Sequence, residues 1–287
     1  MPSFDKESGR ILLADEGDDR DQPGRARRGD PGVARVRAVD EMRAHGVEHV
    51  SYFQVDNPHA HVADPVFLGL HAAAPDSSGQ FSSKMIPKVS WDEKVGVFCA
   101  VDGRVRVIEY SDLPPELAKA KSPDGRLRFL AGSIAIHAIG VGFIERLASD
   151  PAYELPFHRA VKKVPHVDLE TGEVVDPAEA NGVKLERFIF DAIPLADASI
   201  VYETDRVEEF APIKNATGVD SVESSKRLQT ERAARWLEAA GVKIPRNGAG
   251  EVEATIEISA LTALDPAQLA GRSGLPKAVE RGAEVVL

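Results

Sequence analysis

The run Phe53-Gln54-Val55-Asp56-Asn57 joins apolar residues to an acid and an amide. Residues 47–55 are rich in β-forming side chains, and Asp56 comes directly after this predicted strand. In open α/β sheets, ligands collect beyond the carboxyl ends of the strands. Mg²⁺ is held at such places by one or two carboxylates together with substrate phosphates. Asp56 is therefore a candidate metal ligand, and the alternative is an ordinary turn aspartate.

Two more candidates lie in predicted strands. Glu109 closes a strand and offers a carboxylate that could accept hydrogen bonds from sugar hydroxyls; the alternative is a solvated acid at a strand end. Ser133 follows Ala131 and Gly132, and small residues in a strand let a ligand approach the backbone closely. The same pattern also marks a β-bulge.

The last candidates are two aromatic residues and a lysine. Phe188 and Phe190 are two apart in a predicted strand, so they share one face. They predict either core packing or a stacking platform for a base or sugar. Lys214, in Pro212-Ile213-Lys214-Asn215, could neutralise a phosphate. The alternative is an exposed loop lysine.

Composition limits the class of protein. The chain has 287 residues, enough for one large domain with an appendage. Its formal net charge of −11 argues against nucleic-acid and anionic-membrane partners. The single cysteine, Cys99, excludes an internal disulfide, favours a reducing compartment and lies in an apolar run typical of a buried, inert thiol. Without a long apolar run or a signal-peptide core, the sequence predicts a soluble cytoplasmic protein.

Periodicity and turn residues predict strands alternating with helices. Helices are predicted at 39–45, at 62–74, up to 148 after a strand, and at 224–240. Strands are predicted at 47–55, 84–89, 95–101, 104–110, 130–138, 183–193, 199–203 and 252–261. Asp102-Gly103 predicts a tight hairpin turn, and Gly46 and Gly241 predict helix ends.

These elements predict a mixed α/β sheet rather than a purely parallel one. Three parts are expected: an irregular arm at 1–38, a main domain at 39–245, and a small β-containing domain at 246–287. The arm is predicted because residues 18–37 are dense in Arg, Asp, Gly and Pro and nearly lack large apolar side chains.

Eight segments in order resemble the eukaryotic-type UDP-sugar pyrophosphorylases, especially those acting on UDP-N-acetylglucosamine. These segments are QVDN, VADP, VGVFCAVDG, VIEYSDL, SPDGRLRF, AGSIAIH, NGVKLERFIFD and APIKNA. The resemblance implies a nucleotidyltransferase-type, Rossmann-like fold in which helices flank a mixed sheet. It also implies that UTP and an N-acetylhexosamine 1-phosphate give UDP-N-acetylhexosamine and pyrophosphate, with Mg²⁺ bridging phosphates. Alternatives are a glucose-1-phosphate uridylyltransferase and a non-catalytic UDP-sugar-binding module.

The resemblance also implies roles for single residues. Asp56 looks like the metal-binding aspartate, and Lys214 matches a lysine that contacts the phosphates. Glu109 is similar in position to the acid that binds sugar hydroxyls, and Gly96 to a backbone-approach position near the sugar. Ser133 stands where the family has a sugar-contacting Asn. Phe188 and Phe190 resemble the aromatics that line the sugar pocket.

Two departures from the family pattern concern the start of the chain. Members of the family have a Gly-rich nucleotide loop and a catalytic Lys before the position of Asp56, and nothing here resembles them. The resemblance therefore implies an N-terminally truncated enzyme with little or no activity alone. Where the family has a Pro-Asp-Gly turn, residues 22–28 read QPGRARR. We hypothesise a frameshift within 18–37, since an overlapping reading frame of GC-rich codons would restore that turn.

Overall fold

The computed structural model describes residues 3–12, 31–168 and 170–287, and of residues 31–36 the backbone alone. The helices are α1 (Pro31–Ala44), α2 (Pro65–Ala73), α3 (Pro115–Ala118), α4 (Val141–Ala148), α5 (Arg206–Glu209), α6 (Val222–Ala239) and α7 (Pro266–Ala270), with a 3₁₀ helix at Ile189–Leu195. The strands are β1 (Ser3–Asp5), β2 (Ile11–Leu12), β3 (His49–Tyr52), β4 (Phe81–Pro87), β5 (Val97–Val101), β6 (Arg104–Ile108), β7 (Ala131–Gly140), β8 (His158–Lys162), β9 (His166–Val167), β10 (Val174–Val175), β11 (Gly182–Glu186), β12 (Val201–Glu203), β13 (Thr255–Glu257) and β14 (Glu284–Val286).

The largest sheet is mixed. Its strands follow the order β12-β4-β7-β5-β6, and β3 pairs with β7. The β12–β4 pair is parallel, whereas β5 and β7 are antiparallel. This arrangement confirms the predicted mixed α/β class. The β5–β6 hairpin turns at Asp102 and Gly103, both with positive φ, as a two-residue hairpin turn requires.

The chain divides into two compact units. The first comprises residues 1–50, 100–106 and 139–198, within the described ranges. Its four-stranded sheet has the order β2-β1-β11-β8 and is antiparallel throughout, with Phe4 opposite Val183. Helices α1 and α4 pack together, and Arg43 of α1 pairs with Glu145 of α4 at 2.8 Å.

The second unit comprises residues 51–99, 107–138 and 199–287. One buried cluster combines residues of β4 and β7 with one residue before β5 and one directly after α5: Ile86, Ile134, Ile136, Val95 and Phe210. A second cluster packs α6 against the C-terminal residues through side chains that include Trp236, Leu237, Ile256 and Leu269. Helix α6 begins at a capping box in which Ser221 and Ser224 bond reciprocally. These contacts give the helix and the C-terminal strands a common core.

Several predicted boundaries are wrong. The strand predicted at 47–55 ends at Tyr52, because Phe53 and Val55 are exposed and Val55-Asp56 forms a turn. Helix α1 starts at Pro31, eight residues earlier than predicted, and proline is favoured at a first helical position. The strand predicted at 252–261 is reduced to β13. Cys99 is half-buried rather than buried.

Within residues 1–38, the structure describes β1, β2 and the start of α1. Strand β1 pairs with β11, so a partner distant in sequence orders residues of weak local signal. Residues 22–28, on which the frameshift hypothesis rests, lie outside the described ranges. The predicted division into 1–38, 39–245 and 246–287 is not tested and stays a prediction. Within the described ranges, no helix is both long and apolar enough to span a membrane.

Candidate functional site

Asp56 lies in the turn after β3, four residues beyond its last residue. Its oxygen Oδ1 is buried and has no hydrogen-bond partner among the described residues. Buried polar atoms are nearly always bonded in folded proteins, so an unbonded carboxylate oxygen is a favourable position for a cation. The donor type and the free oxygen fit the predicted metal ligand, and the role itself stays a prediction.

The next residue, Asn57, connects the Asp56 turn to the chain around residue 211. Asn57 is 5% exposed. Its Nδ2 donates to the carbonyl of Glu209 at 2.8 Å, and its Oδ1 accepts from the amide of Ala211 at 3.0 Å. The amide of Ile213 then donates to the carbonyl of Asp56 at 2.8 Å. Residues 209, 211 and 213 therefore all bond to Asp56 or Asn57; we call residues 209–213 the docked segment.

Lys214 follows the docked segment directly and is exposed. Its backbone amide donates to the carbonyl of Asp220 at 2.6 Å, and the amide of Asn215 donates to the same oxygen at 2.9 Å. The side chain of Asn215 closes this loop by donating to the carbonyl of Val219 at 2.7 Å. The structure thus brings the predicted metal ligand and the predicted phosphate-binding lysine onto neighbouring backbone segments.

Gly96, Glu109 and Ser133 also lie together in the second unit. A Cβ atom at Gly96 would lie 2.8 Å from Val107 Cγ1 and 3.3 Å from Glu109 Oε1. The amide of Ser133 donates to the carbonyl of Gly96 at 2.8 Å. Strand β7 runs without a break through Ser133, and a left-handed φ of 53° falls two residues later, at Ala135.

The crowding at Gly96 makes its replacement by alanine costly. We expect Gly96→Ala to lower the free energy of unfolding by about 1 to 3 kcal/mol, since overpacking displaces side chains or backbone. Urea denaturation measures the change. Gly69→Ala in α2 is the control, because a Cβ there meets no atom within 4 Å; this variant should gain about 0.5 to 1 kcal/mol. Equal stabilities for the two variants would contradict the observed packing.

Phe188 and Phe190 belong to the first unit, and the prediction that both lie on a strand is wrong. Strand β11 ends at Glu186; Phe188 caps the 3₁₀ helix that contains Phe190. Their rings still stack, with centroids 4.8 Å apart and planes 14° from parallel. Phe190 is buried at 7% exposure, so its ring serves the core, whereas Phe188 is half-buried. His158 packs on Phe188 and pairs with Asp191 at 2.8 Å.

A buried ion network beside the docked segment was not predicted from the sequence. Lys84 in β4 is completely buried and donates to Asp64 Oδ2 at 2.6 Å and to Glu209 Oε1. Thr204 also donates to Glu209 Oε1, at 2.8 Å. His61, Asp64 and Glu209 each offer a ligand atom within 4.8 Å of the others. Because Lys84 supplies positive charge to both carboxylates, we interpret this group as an internal ion network.

Charge and burial shift the pKa of Asp64 in opposite directions. Burial raises its pKa, but the hydrogen bond and charge of Lys84, with two backbone amides of α2, outweigh it and hold the pKa below the usual range. The amides are those of Val66 and Phe67, because Asp64 also caps α2. The only signal for this in the sequence is the Asp-Pro pair, which is typical of a helix start. It carries no information about Lys84.

Known proteins resemble the chain over most of its length. A family model described as UTP–glucose-1-phosphate uridylyltransferase matches residues 32–235. A Caenorhabditis elegans protein named "Probable UDP-N-acetylglucosamine pyrophosphorylase" is 40% identical over 208 residues, covering 72% of this chain and 42% of that protein. The Saccharomyces cerevisiae UDP-N-acetylglucosamine pyrophosphorylase is 34% identical over 250 residues, covering 84% of this chain and 51% of that protein.

Solved structures agree with the fold. A candidate UDP-N-acetylglucosamine pyrophosphorylase from Entamoeba histolytica superposes with a TM-score of 0.72 at 27% identity, covering 100% of this chain and 67% of that one. The chain spans about half the length of the curated relatives described above. The match over 32–235 includes Asp56, Gly96, Glu109, Ser133, Phe188, Phe190 and Lys214. The predicted resemblance is confirmed, and the chain belongs to the UTP–glucose-1-phosphate uridylyltransferase family.

Proposed function

We propose that the chain takes part in uridylyl transfer, in which UTP and N-acetylhexosamine 1-phosphate give UDP-N-acetylhexosamine and pyrophosphate. An oxygen of the sugar phosphate attacks the α-phosphorus of UTP. A new phosphorus–oxygen bond forms while the bond to the β-phosphate oxygen breaks, and pyrophosphate leaves. Such reactions depend chiefly on positioning and on neutralising phosphate charge. The C. elegans and S. cerevisiae relatives, both named for UDP-N-acetylglucosamine, support this choice of sugar.

One observation carries the proposal. The turn bearing Asp56 and the segment bearing Lys214 are joined by the bond from the amide of Ile213 to the carbonyl of Asp56, and Asp56 Oδ1 is buried without a partner. The carboxylate that can bind a cation and the exposed lysine therefore lie on backbone segments that are hydrogen-bonded to each other. This pairing suits a bound phosphate chain, which needs a metal ion and a fixed positive charge.

Each predicted residue has a role in this proposal. Asp56 would hold a divalent ion, with Mg²⁺ as the first choice; when bound, the ion neutralises charge on the phosphates. Lys214 would donate to a phosphate oxygen, and Glu109 would accept hydrogen bonds from sugar hydroxyls beside Gly96 and Ser133. Phe188 and Phe190 stay predicted as aromatics that line a sugar pocket. The predicted cytoplasmic location and the lack of nucleic-acid or membrane partners stay predictions.

Calorimetric titration of the whole chain with UDP-N-acetylglucosamine, with and without Mg²⁺, tests the proposal. We expect binding that Mg²⁺ strengthens. Lys214→Met should weaken it about 10- to 100-fold, which corresponds to one charge-assisted hydrogen bond. Asp56→Asn should remove the strengthening by Mg²⁺, because an amide oxygen is a poorer ligand for this ion.

Lys277→Met is the control, since Lys277 is exposed and lies outside the family match. Its affinity should equal that of the unchanged chain. Tighter binding of UDP-glucose than of UDP-N-acetylglucosamine would favour glucose 1-phosphate as the substrate. If the chain binds neither UDP-sugar in the presence of Mg²⁺, the proposal fails for this chain.

A further inference from the structure

Two of the three described hydrogen bonds between the docked segment and the Asp56 turn use the side chain of Asn57. Asn57 uses both halves of its amide: its Nδ2 donates to the carbonyl of Glu209, and its Oδ1 accepts from the amide of Ala211. Phe210 between them has extended backbone, with φ −138° and ψ 105°. In extended chain, alternate residues bond to the same neighbour, so the amide of Ile213 continues the pattern to Asp56.

The docked segment is also fixed at its start and in its middle by residues outside the Asp56 turn. At its start, Glu209 is tied to Lys84 and Thr204 by its carboxylate, so its carbonyl presents a fixed target to Asn57. In its middle, the carbonyl of Ala211 accepts a hydrogen bond of 2.6 Å from Ser225 of α6. Among the described residues, the hydrogen bonds that connect the docked segment to the Asp56 turn are the two of the Asn57 side chain and the one from the amide of Ile213.

We propose that Asn57 is a positioning residue that sets Asp56 and Lys214 at the separation a metal-bound phosphate requires. This inference rests on the proposed function of those two residues. Asn57 touches no substrate in this scheme and acts through the docked segment. An amide is needed at this position because one partner is an acceptor and the other a donor. A carboxylate of the same shape can still accept from the amides of Ala211 and His59, but it cannot donate to the carbonyl of Glu209.

The substitution Asn57→Asp therefore removes one bond at constant shape. We expect hydrogen exchange at the amide of Ile213 to rise about tenfold or more, because the docked segment opens locally. We also expect the affinity for UDP-N-acetylglucosamine to fall about tenfold or more, with the strengthening by Mg²⁺ lost. If the affinity no longer depends on Mg²⁺, the separation of Asp56 and Lys214 has changed. A lower stability alone would not remove the dependence on Mg²⁺.

Asn247→Asp is the matched control, because it adds the same charge in an exposed turn. Asn247 Oδ1 accepts from the amides of Ala249 at 2.9 Å and Glu251 at 3.0 Å, and a carboxylate can keep both bonds. Its Nδ2 donates to Glu251 Oε2 at 2.9 Å, so the control, like Asn57→Asp, loses one bond donated by an amide, but away from the docked segment. Ile213→Pro is a second variant, for use if Asn57→Asp does not fold. It deletes the donor to the carbonyl of Asp56 at a residue that is 37% exposed, and it should cause the same loss of metal dependence.

The outcomes separate this inference from the proposed function. Unchanged exchange at Ile213 in Asn57→Asp overturns the inference, whatever the ligand does. Faster exchange with unchanged affinity and unchanged Mg²⁺ dependence also overturns it, while the proposed function stands. If the unchanged chain binds no UDP-sugar, the proposed function fails, and the positioning role fails with it. Faster exchange together with loss of the metal-dependent affinity supports the inference.

Discussion

Lys84→Met is expected to lower the free energy of unfolding by about 3 to 5 kcal/mol, the usual cost of removing one partner from a buried ion pair. The Lys84 side chain is fully buried, and those of Asp64 and Glu209 are only 12% and 8% exposed. Without the ammonium group, two carboxylates stay close together with little water to screen them. Urea denaturation of the whole chain at neutral pH measures the loss.

Replacing the whole network at once should restore most of that loss. The triple variant Lys84→Met, Asp64→Asn, Glu209→Gln carries no buried charge at these positions, and Asn can still cap α2 in place of Asp64. Arg126→Met is the control, because Arg126 and Asp124 form a surface ion pair; its stability should match that of the unchanged chain. A Lys84→Met loss below about 1 kcal/mol would contradict the role assigned to the network.

Acid should destabilise the fold well before its carboxylates titrate. Burial, with smaller repulsion from Arg232 and Arg235, lowers the pKa of His59 from 6.5 to about 3. Burial alone lowers the pKa of His137 from 6.5 to about 3. As the pH falls below 6.5, the unfolded chain therefore comes to bind two more protons than the folded chain at these positions. These two histidines therefore leave the free energy of unfolding unchanged well above pH 6.5 and lower it as the pH drops from 6.5 towards 3.

The slope approaches about 1.4 kcal/mol per pH unit for each histidine, and the expected loss for both between pH 6.5 and pH 5 is about 3 kcal/mol. Urea denaturation at several pH values gives the number of protons from the slope. His59→Gln and His137→Gln should each remove one proton from this difference. A wild-type slope near zero over this range would mean that neither histidine is held neutral.

The sequence alone determined the local elements and the family. The hairpin at Asp102-Gly103 forms as predicted, because positive φ at two adjacent turn residues is a local requirement that Asp and Gly meet. Helix α6 covers most of its predicted span, since hydrophobic spacing and the glycine after it are both local signals. The family was predicted from eight segments in a fixed order. Recognising that order requires no knowledge of contacts between the segments.

The tertiary structure decided which distant residues meet. Asn57 bonds to residues 152 and 154 positions away, and Lys84 pairs with Glu209 from 125 positions away. The local sequence pattern contains no information on such partners, so it does not distinguish a buried lysine in a strand from an exposed one. The same limit explains why Phe188 and Phe190 were predicted on a strand. Alternating apolar residues favour β structure locally, whereas the chain after Glu186 continues as a 3₁₀ helix that buries Phe190, Ala192 and Ile193.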